Sequence, residues 1–222
     1  YPNVDWNDVV FKDNTYQAIN NLSVSGGGEI ARYYVNVGYT WQDGIYKDDN
    51  LNSYNANIDL KRYNFRSNVD INLAKNFTVD LRLGGIVRRG NYPVPSMPAL
   101  FNAVKITPPH AFPVRNPDGS PGGVNLGFLG QNPWAMVTQS GYKVQNRSTL
   151  QGTFNTKWDL SDLITDGLAF NAKFAYDNYY HASNDRPKTY EIRQYLGEDP
   201  VTGEDMYQVH REEEPLGYGW SN

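Results

Sequence analysis

The sequence predicts an all-β fold whose antiparallel strands form an arc of a large transmembrane β-barrel with long extracellular loops. Apolar and polar residues alternate with period two in several stretches, and short connections alternate with long ones between those stretches. Aromatic residues make up 14% of the 222 residues, although the mean hydropathy is -0.65. Tyrosine and tryptophan among many polar residues are typical of strands that are apolar on one side only.

The bulk composition excludes several other classes of protein. No apolar run approaches the ~18 residues that a transmembrane helix needs, whereas a transmembrane strand needs only about ten alternating residues. The net charge of -4 offers no basic surface for nucleic acid. The absence of cysteine excludes a disulfide scaffold and thiolate metal sites.

Four strands are predicted in the first part of the chain. A short strand over Gln17–Ser25 precedes strands over Tyr33–Gln42, Tyr63–Leu73 and Phe77–Arg88. The apolar faces of the last three are Tyr33, Val35, Val37, Tyr39 and Trp41; Tyr63, Phe65, Ser67, Val69, Ile71 and Leu73; and Phe77, Val79, Leu81, Leu83 and Val87. The glycine pair Gly84–Gly85 interrupts the fourth strand, which predicts a bend or a close approach of a neighbouring segment.

Two further strands over Val144–Leu160 and Leu168–His181 bring the predicted number to six. In the first of them the alternation is less regular. The apolar residues of these two strands are Leu150, Phe154, Trp158 and Leu160, and then Phe170, Ala172, Phe174, Tyr176 and Tyr180.

Short and long connections alternate along the whole chain. The short ones are Ser25–Glu29, Ala74–Asn76 and Ser161–Gly167, and the long ones are Asp43–Asn57, Gly90–Tyr142 and residues 182–222. Short turns at one end and long loops at the other are the pattern of an outer-membrane barrel. Apolar and polar residues also alternate along the strands of a soluble sandwich, but the architecture of a sandwich does not require every long loop to lie at one end.

The two faces of the predicted sheet suit lipid and water. The polar face carries Arg66, Asp70, Asp80, Arg82, Arg88, Arg147, Lys157 and Lys173, which fit bulk water or a hydrated lumen. Aromatic residues near the strand ends predict two interfacial girdles, with Tyr39, Trp41, Tyr63, Phe65, Tyr176 and Tyr180 at the outer rim and Phe77, Trp158 and Phe170 at the inner rim. The alternative is a soluble sheet whose apolar face packs into a core.

The long loop Gly90–Tyr142 has features of its own. Residues Ser96–Lys105 predict a short helix with Ser96 as its cap, and five prolines between Pro108 and Pro121 then oppose regular structure. Its larger aromatic residues suit either stacking on sugar rings or packing of the loop, and packing is favoured. They are Phe101, Phe112, Phe128 and Trp134.

No catalytic, cofactor-binding or metal-binding residue is predicted, and substrate-binding residues are not identifiable from the sequence. His110, His181 and His210 show no metal-ligand spacing. The carboxylates Asp177 and Asp185 are disfavoured as a glycosidase pair because nothing in the sequence fixes their separation. Oxygen-rich stretches at Asp48-Asp49-Asn50 and Asn116-Pro117-Asp118-Gly119 are minor candidates for calcium, but turn formation explains the second without a ligand. The protein is therefore predicted not to be an enzyme.

Several motifs resemble the SusC/RagA-like family of TonB-dependent outer-membrane transporters, in the order of that family over most of residues 1–160. Asn21–Glu29 (NLSVSGGGE) and Arg32–Tyr39 (RYYVNVGY) are similar to the strand, glycine turn and strand that follow the plug domain. Further similar pieces are Tyr1–Trp6, Asp43–Ile45, Lys61–Asp70, Asn116–Ser120 and Asn132–Ala135.

The resemblance implies a plugged barrel in the outer membrane of a Gram-negative bacterium that imports oligosaccharides or peptides. It implies that the partners are TonB, a SusD-like surface lipoprotein and the lipid bilayer. Nucleic acid is not an expected partner. Residues 1–222 are expected to be a partial barrel segment, with the plug domain, the TonB box and the C-terminal strands outside it. The alternative function is a soluble carbohydrate-binding β-sandwich domain of a surface protein.

Overall fold

The computed structural model describes residues 2–49, 54–125, 127 and 131–221, so the predictions on Tyr1, Asn50 and Phe128 lie outside the described residues. The predicted all-β class with antiparallel strands is confirmed. The strands are β1 (Gln17–Gly27), β2 (Ala31–Asp43), β3 (Asp59–Ala74), β4 (Phe77–Pro93), β5 (Gly141–Asp159), β6 (Ala169–Pro187), β7 (Ile192–Glu198), β8 (Asp205–Arg211) and β9 (Gly219–Ser221). The helices of the described residues are α1 (Trp6–Val10), α2 (Met97–Ile106) and α3 (Pro133–Thr138).

Seven strands form one open antiparallel sheet in the order β1-β2-β3-β4-β5-β6-β9, and β7 and β8 form a separate pair. All six predicted strands are present, and each pairs with the next one along the chain. The three short turns lie at one end of the sheet, here called the turn end. The long connections after β2, β4 and β6 lie at the opposite, loop end, as predicted.

The prediction that residues 182–222 form one long connection is wrong. Strand β6 continues to Pro187, and β7, β8 and β9 follow it. The register of β7 with β8 shifts between Ile192 and Arg193 and again between Tyr195 and Gly197. These irregularities break the period-two alternation from which a strand is recognised, and β9 has only three residues.

The strand register collects the apolar residues of the sheet on one face. Directly paired residues of antiparallel strands point to the same side. At the loop end Tyr39 pairs with Tyr63, and Tyr63 pairs with Val87. At the turn end Phe77 pairs with Trp158, and Trp158 pairs with Phe170. We call the side that carries these residues the apolar face and the opposite side the polar face.

The buried core of the protein lies in the loops and not on the sheet. It joins residues from α1, α2 and α3, from the connection after β2, and from β7. This loop core consists of Trp6, Val10, Tyr46, Leu100, Ala103, Val104, Phe112, Trp134, Ala135, Met136, Val137, Tyr190 and Ile192. The long loops therefore form a packed cap at the loop end, because their apolar side chains bury each other.

Each of the three helices begins at a side chain that caps it. Asp5 accepts hydrogen bonds from the backbone N–H groups of Asn7 and Asp8 at α1. Ser96 accepts one from Ala99 at α2, which confirms the predicted helix and its cap, and Asn132 accepts one from Ala135 at α3. None of the described helices is long and apolar enough to cross a membrane.

Gly85 illustrates the predicted close approach within β4. A Cβ atom added at Gly85 would lie 2.2 Å from Cε1 of Phe65 on β3, so the Phe65 ring lies over the glycine. A Cβ at Gly84 would meet only the Phe65 carbonyl oxygen, at 3.9 Å. The absent side chain of Gly85 thus makes room for a cross-strand aromatic ring.

Replacing Gly85 with alanine is expected to destabilise the sheet by about 1 kcal/mol, because the Phe65 ring must leave its position. Gly84→Ala is the matched control and is expected to be nearly neutral. Thermal unfolding of the full-length protein in detergent measures both changes. Equal midpoints for the two variants would contradict the close approach.

Candidate functional site

Most of the apolar face of the sheet is exposed in the described residues. Leu22 is 69% exposed, Val37 54% and Phe174 67%, although all three lie among other apolar side chains of this face. A contiguous apolar surface of this extent is unusual on a soluble monomer and indicates contact with a partner or with lipid. The sheet therefore has the composition of a wall between an apolar and an aqueous phase.

The height of this apolar band matches the apolar band of an outer-membrane barrel. The band runs from Phe77 to Val87 on β4, which is ten residue steps. These steps cover about 33 Å along the strand at about 3.3 Å per residue. A strand tilt of about 40° reduces that length to about 25 Å across the membrane, the height typical of such barrels.

Aromatic residues mark both edges of the band. Near the loop end the ring centroids of Tyr39 and Tyr63 are 5.1 Å apart, and at the turn end those of Phe77 and Trp158 are 6.1 Å apart. The prediction that Tyr176 lies at the outer rim is wrong. Tyr176 pairs with Gly152, which pairs with Leu83, so the register places it near mid-height of the band. Phe65 pairs with Gly85 and lies two residues along β3 from Tyr63, on the same face and closer to mid-height.

The polar face carries all eight charged residues that the sequence assigned to it, from Arg66 on β3 to Lys173 on β6. Two ion pairs among the described residues lie on that face. Arg82 lies 3.6 Å from Asp70, and the Lys143 ammonium lies 2.9 Å from Asp185 nearer the loop end. A hollow of about 430 Å³ opens on this side and is lined in part by Arg62 and Arg66. The polar face is suited to water and to a polar ligand.

The aromatic residues of the long loop pack mainly within the cap. Phe112 is buried with its ring centroid 5.5 Å from that of Trp6. The guanidinium of Arg115 lies 4.4 Å above the ring of Trp134, which is also buried. Phe101 is partly exposed and stacks on Phe11 at 5.0 Å. The packing interpretation therefore holds for Phe112 and Trp134.

The carboxylate of Asp118 organises the turn that was a minor candidate for calcium. Gly119 donates its backbone N–H to the Asn116 carbonyl oxygen and has a φ of 83°. Asp118 accepts hydrogen bonds from the backbone N–H of Ser120 at 2.9 Å and from its hydroxyl at 2.6 Å, and it pairs with Arg193 at 2.9 Å. Burial alone would raise the pKa of Asp118, but the bonds from Ser120 and Arg193 outweigh it and lower the pKa below the ordinary value.

This turn is expected to loosen in acid. Because the folded-state pKa of Asp118 is lowered, its stabilisation is fully present above the ordinary carboxyl pKa of 3.8 and is lost as the pH falls through the folded value. The protection factor of the Ser120 amide, which is its exchange rate relative to an unfolded amide at the same pH, should fall on acidification, and Asp118→Asn should already lower it at neutral pH. Asp166→Asn, at an exposed turn carboxylate, is the control. Exchange independent of Asp118 would contradict the assignment.

The other side chains that could serve in catalysis or metal binding do not form a common site in the described residues. Asp177 and Asp185 are eight residue steps apart on β6, or about 26 Å, well beyond the separation of about 5–10 Å for a glycosidase pair. His210 contacts Gln194 at 2.9 Å, and Asp48 pairs with Lys12 at 3.2 Å. No cluster of three or more possible metal ligands occurs in the described part of the chain.

One feature of the polar face was not foreseen from the sequence. Arg62, Arg88 and Arg147 lie in directly paired positions on three adjacent strands. The residues are far apart in sequence, and their alignment depends on the register of three strands. Period-two alternation assigns each residue to a face but carries no information on register, so the sequence had no signal for this row.

The chain is similar to known proteins both in sequence and in structure. No protein-family model matches the chain. The TonB-dependent receptor P3 of Formosa agariphila is 26% identical over 186 residues, which cover 79% of this chain and 17% of that receptor. A solved structure of the RagAB peptide importer in the closed-closed state has 14% sequence identity and a TM-score of 0.42, covering 86% of this chain and 24% of that one. The chain therefore spans less than a fifth of the curated relative it matches.

Proposed function

We propose that this chain belongs to the SusC/RagA-like TonB-dependent family that its motifs resemble, and that it forms part of the barrel wall of an outer-membrane importer. TonB-dependent receptors lie in the outer membrane of Gram-negative bacteria, which confirms the predicted location. The part played by this segment is to separate lipid from a hydrated lumen while its long loops form the outer cap.

One observation carries this proposal: the sheet has an uncovered apolar face of about 25 Å height and a charged opposite face. A soluble β-sandwich would cover its apolar face with a second sheet. In the described residues the β7–β8 pair belongs to the cap, and most apolar side chains of β1 to β6 stay exposed. No observation favours the carbohydrate-binding sandwich over the barrel wall.

The whole importer requires parts beyond this segment. An open sheet with unpaired edges does not span a membrane by itself, so residues 1–222 act as a piece of a larger closed barrel. The proposal includes a plug domain and a TonB box outside this segment, energy from TonB, and a SusD-like lipoprotein over the cap. The proposed cargo is an oligosaccharide or a peptide, and no catalytic step is proposed.

The test is to extract the native protein from the membrane of its source bacterium in detergent and to measure its intact mass and its co-purifying partners. A species several-fold heavier than 25.2 kDa that brings down a lipoprotein is expected. Deleting its gene should then abolish uptake of the cargo. A native species of about this mass that is monodisperse in plain buffer and has no partner would refute the proposal.

A further inference from the structure

Three arginines form a row across the polar face near the loop end. Arg62 of β3 pairs directly with Arg88 of β4, and Arg88 pairs directly with Arg147 of β5. Neighbouring strands are about 4.8 Å apart, so the three Cα atoms span about 10 Å. His181 of β6 continues the row beside Arg147. We call Arg62, Arg88, Arg147 and His181 the basic row.

The charges of the basic row are not neutralised within the described residues. Arg62, Arg88 and Arg147 are exposed, and none forms an ion pair with a described acidic side chain. Arg88 contacts only the Tyr92 hydroxyl at 3.4 Å, and Arg147 only the Gln145 side-chain oxygen at 3.4 Å. Elsewhere on the same face Arg82 and Lys143 have acidic partners.

Like charges in directly paired positions destabilise a sheet. Three adjacent guanidinium groups therefore cost stability unless an anion binds between them. Guanidinium groups bind carboxylates and sulfates through two parallel hydrogen bonds, which makes arginine the side chain best suited to such anions. His181 adds an Nε2 atom that has no hydrogen-bond partner among the described residues.

The hollow next to the basic row supplies groups that suit a sugar. Its lining includes Arg62 and Arg66 and several amide side chains. The amides are Asn21, Asn36, Asn64 and Gln151. Amide groups both donate and accept hydrogen bonds, as hydroxyl groups do, and the ring of Tyr34 adds an aromatic surface.

We propose that the basic row and the adjoining hollow bind an acidic oligosaccharide, so that the importer selects cargo that carries carboxylate or sulfate groups. This inference rests on the proposed function and names the substrate class for the same lumen. The row lies on the polar face just below the cap, where a ligand coming from the outside would meet it. Sugar is favoured over peptide because four amide side chains line the hollow beside the apolar residues Ile19, Phe65 and Ile86, so the hydroxyl groups of a sugar would meet both donors and acceptors.

The test uses the purified full-length protein in detergent with defined probes. The acidic probes are a galacturonic acid oligomer and a sulfated galactose oligomer, and the methyl ester of the first is the matched neutral probe. At least one acidic probe should bind, the methyl ester should bind far more weakly, and added salt should weaken acidic binding. Combined Arg62→Gln, Arg88→Gln and Arg147→Gln replacement should raise the Kd of the acidic probe on the order of 100-fold.

The matched control removes the same charge from the same face at the turn end. Combined Arg32→Gln, Lys157→Gln and Lys173→Gln replacement should change the Kd by less than about 3-fold, since the screening length is about 10 Å at moderate salt. The thermal midpoint of the basic-row variant should be equal to or above that of the wild type, because a like-charge repulsion is relieved.

Several results would overturn the inference. These are failure of both acidic probes to bind, equal binding of the methyl ester, equal affinity in the two triple variants, or binding of a glutamate oligomer instead of sugar. A lower thermal midpoint of the basic-row variant would show that another part of the protein already neutralises the row. All of these results leave the outer-membrane importer intact, because the membrane extraction described above tests that proposal separately.

Discussion

Replacing Leu81 with arginine is expected to destabilise the protein in a lipid bilayer by about 2–4 kcal/mol. Leu81 pairs with Val69 on one side and Phe154 on the other, near mid-height of the apolar band. A charge placed there must be dehydrated or must deform the bilayer to reach water, and both cost free energy. The expected loss is among the largest that a single exposed residue can give.

The control for Leu81→Arg lies on the opposite face at the same height. Asn155→Arg, in a position that pairs with Asp80, is expected to cost less than about 1 kcal/mol because the polar face is hydrated. The unfolding midpoint in lipid vesicles measures both variants. If the two substitutions destabilise the protein equally, the apolar face does not meet lipid.

Replacing Leu100 with alanine is expected to destabilise the cap by about 2–5 kcal/mol. Leu100 on α2 is fully buried in the loop core, where it lies with Val104, Phe112 and Trp134. Truncation leaves a cavity because the surrounding side chains come from distant segments and cannot all move inward together. The cap should open locally while the sheet keeps its pairing, since they share little core.

The neighbouring exposed residue provides the control for Leu100→Ala. Asn102→Ala on the same helix is expected to change stability by less than about 0.5 kcal/mol. Hydrogen exchange of the full-length protein in detergent reports the cap and the strands separately. Faster exchange in α2 and α3 with unchanged exchange in β3 to β5 is the expected result. Uniform acceleration throughout would show that cap and sheet unfold as one unit.

The strands and faces of the sheet were predictable because they depend on local sequence. Period-two alternation located β1 to β6 and assigned each charged residue from Arg66 to Lys173 to the polar face. The serine cap and apolar spacing likewise located α2. In each case the signal lies within one element, where neighbouring residues alone decide which side is buried.

Features that depend on contacts between distant segments were not predictable. The loop core joins Trp6, Leu100, Trp134 and Tyr190, which are far apart in sequence and show no common periodicity. Helix α1 has only five residues, too few for a helical pattern. The mid-height position of Tyr176 and the basic row depend on strand register, which alternation within a single strand does not encode.

Site-directed spin labelling along β4 can show whether one face of this sheet meets lipid and the other meets water. This segment contains no cysteine, so single cysteines can be introduced in turn at positions 78–88 of the full-length protein in vesicles. We expect labels at positions 79, 81, 83 and 87 to be accessible to oxygen dissolved in lipid, and labels at 78, 80, 82 and 88 to be accessible to a water-soluble nickel complex. If labels at the odd positions are inaccessible to both reagents, this face packs into a soluble core and does not meet lipid.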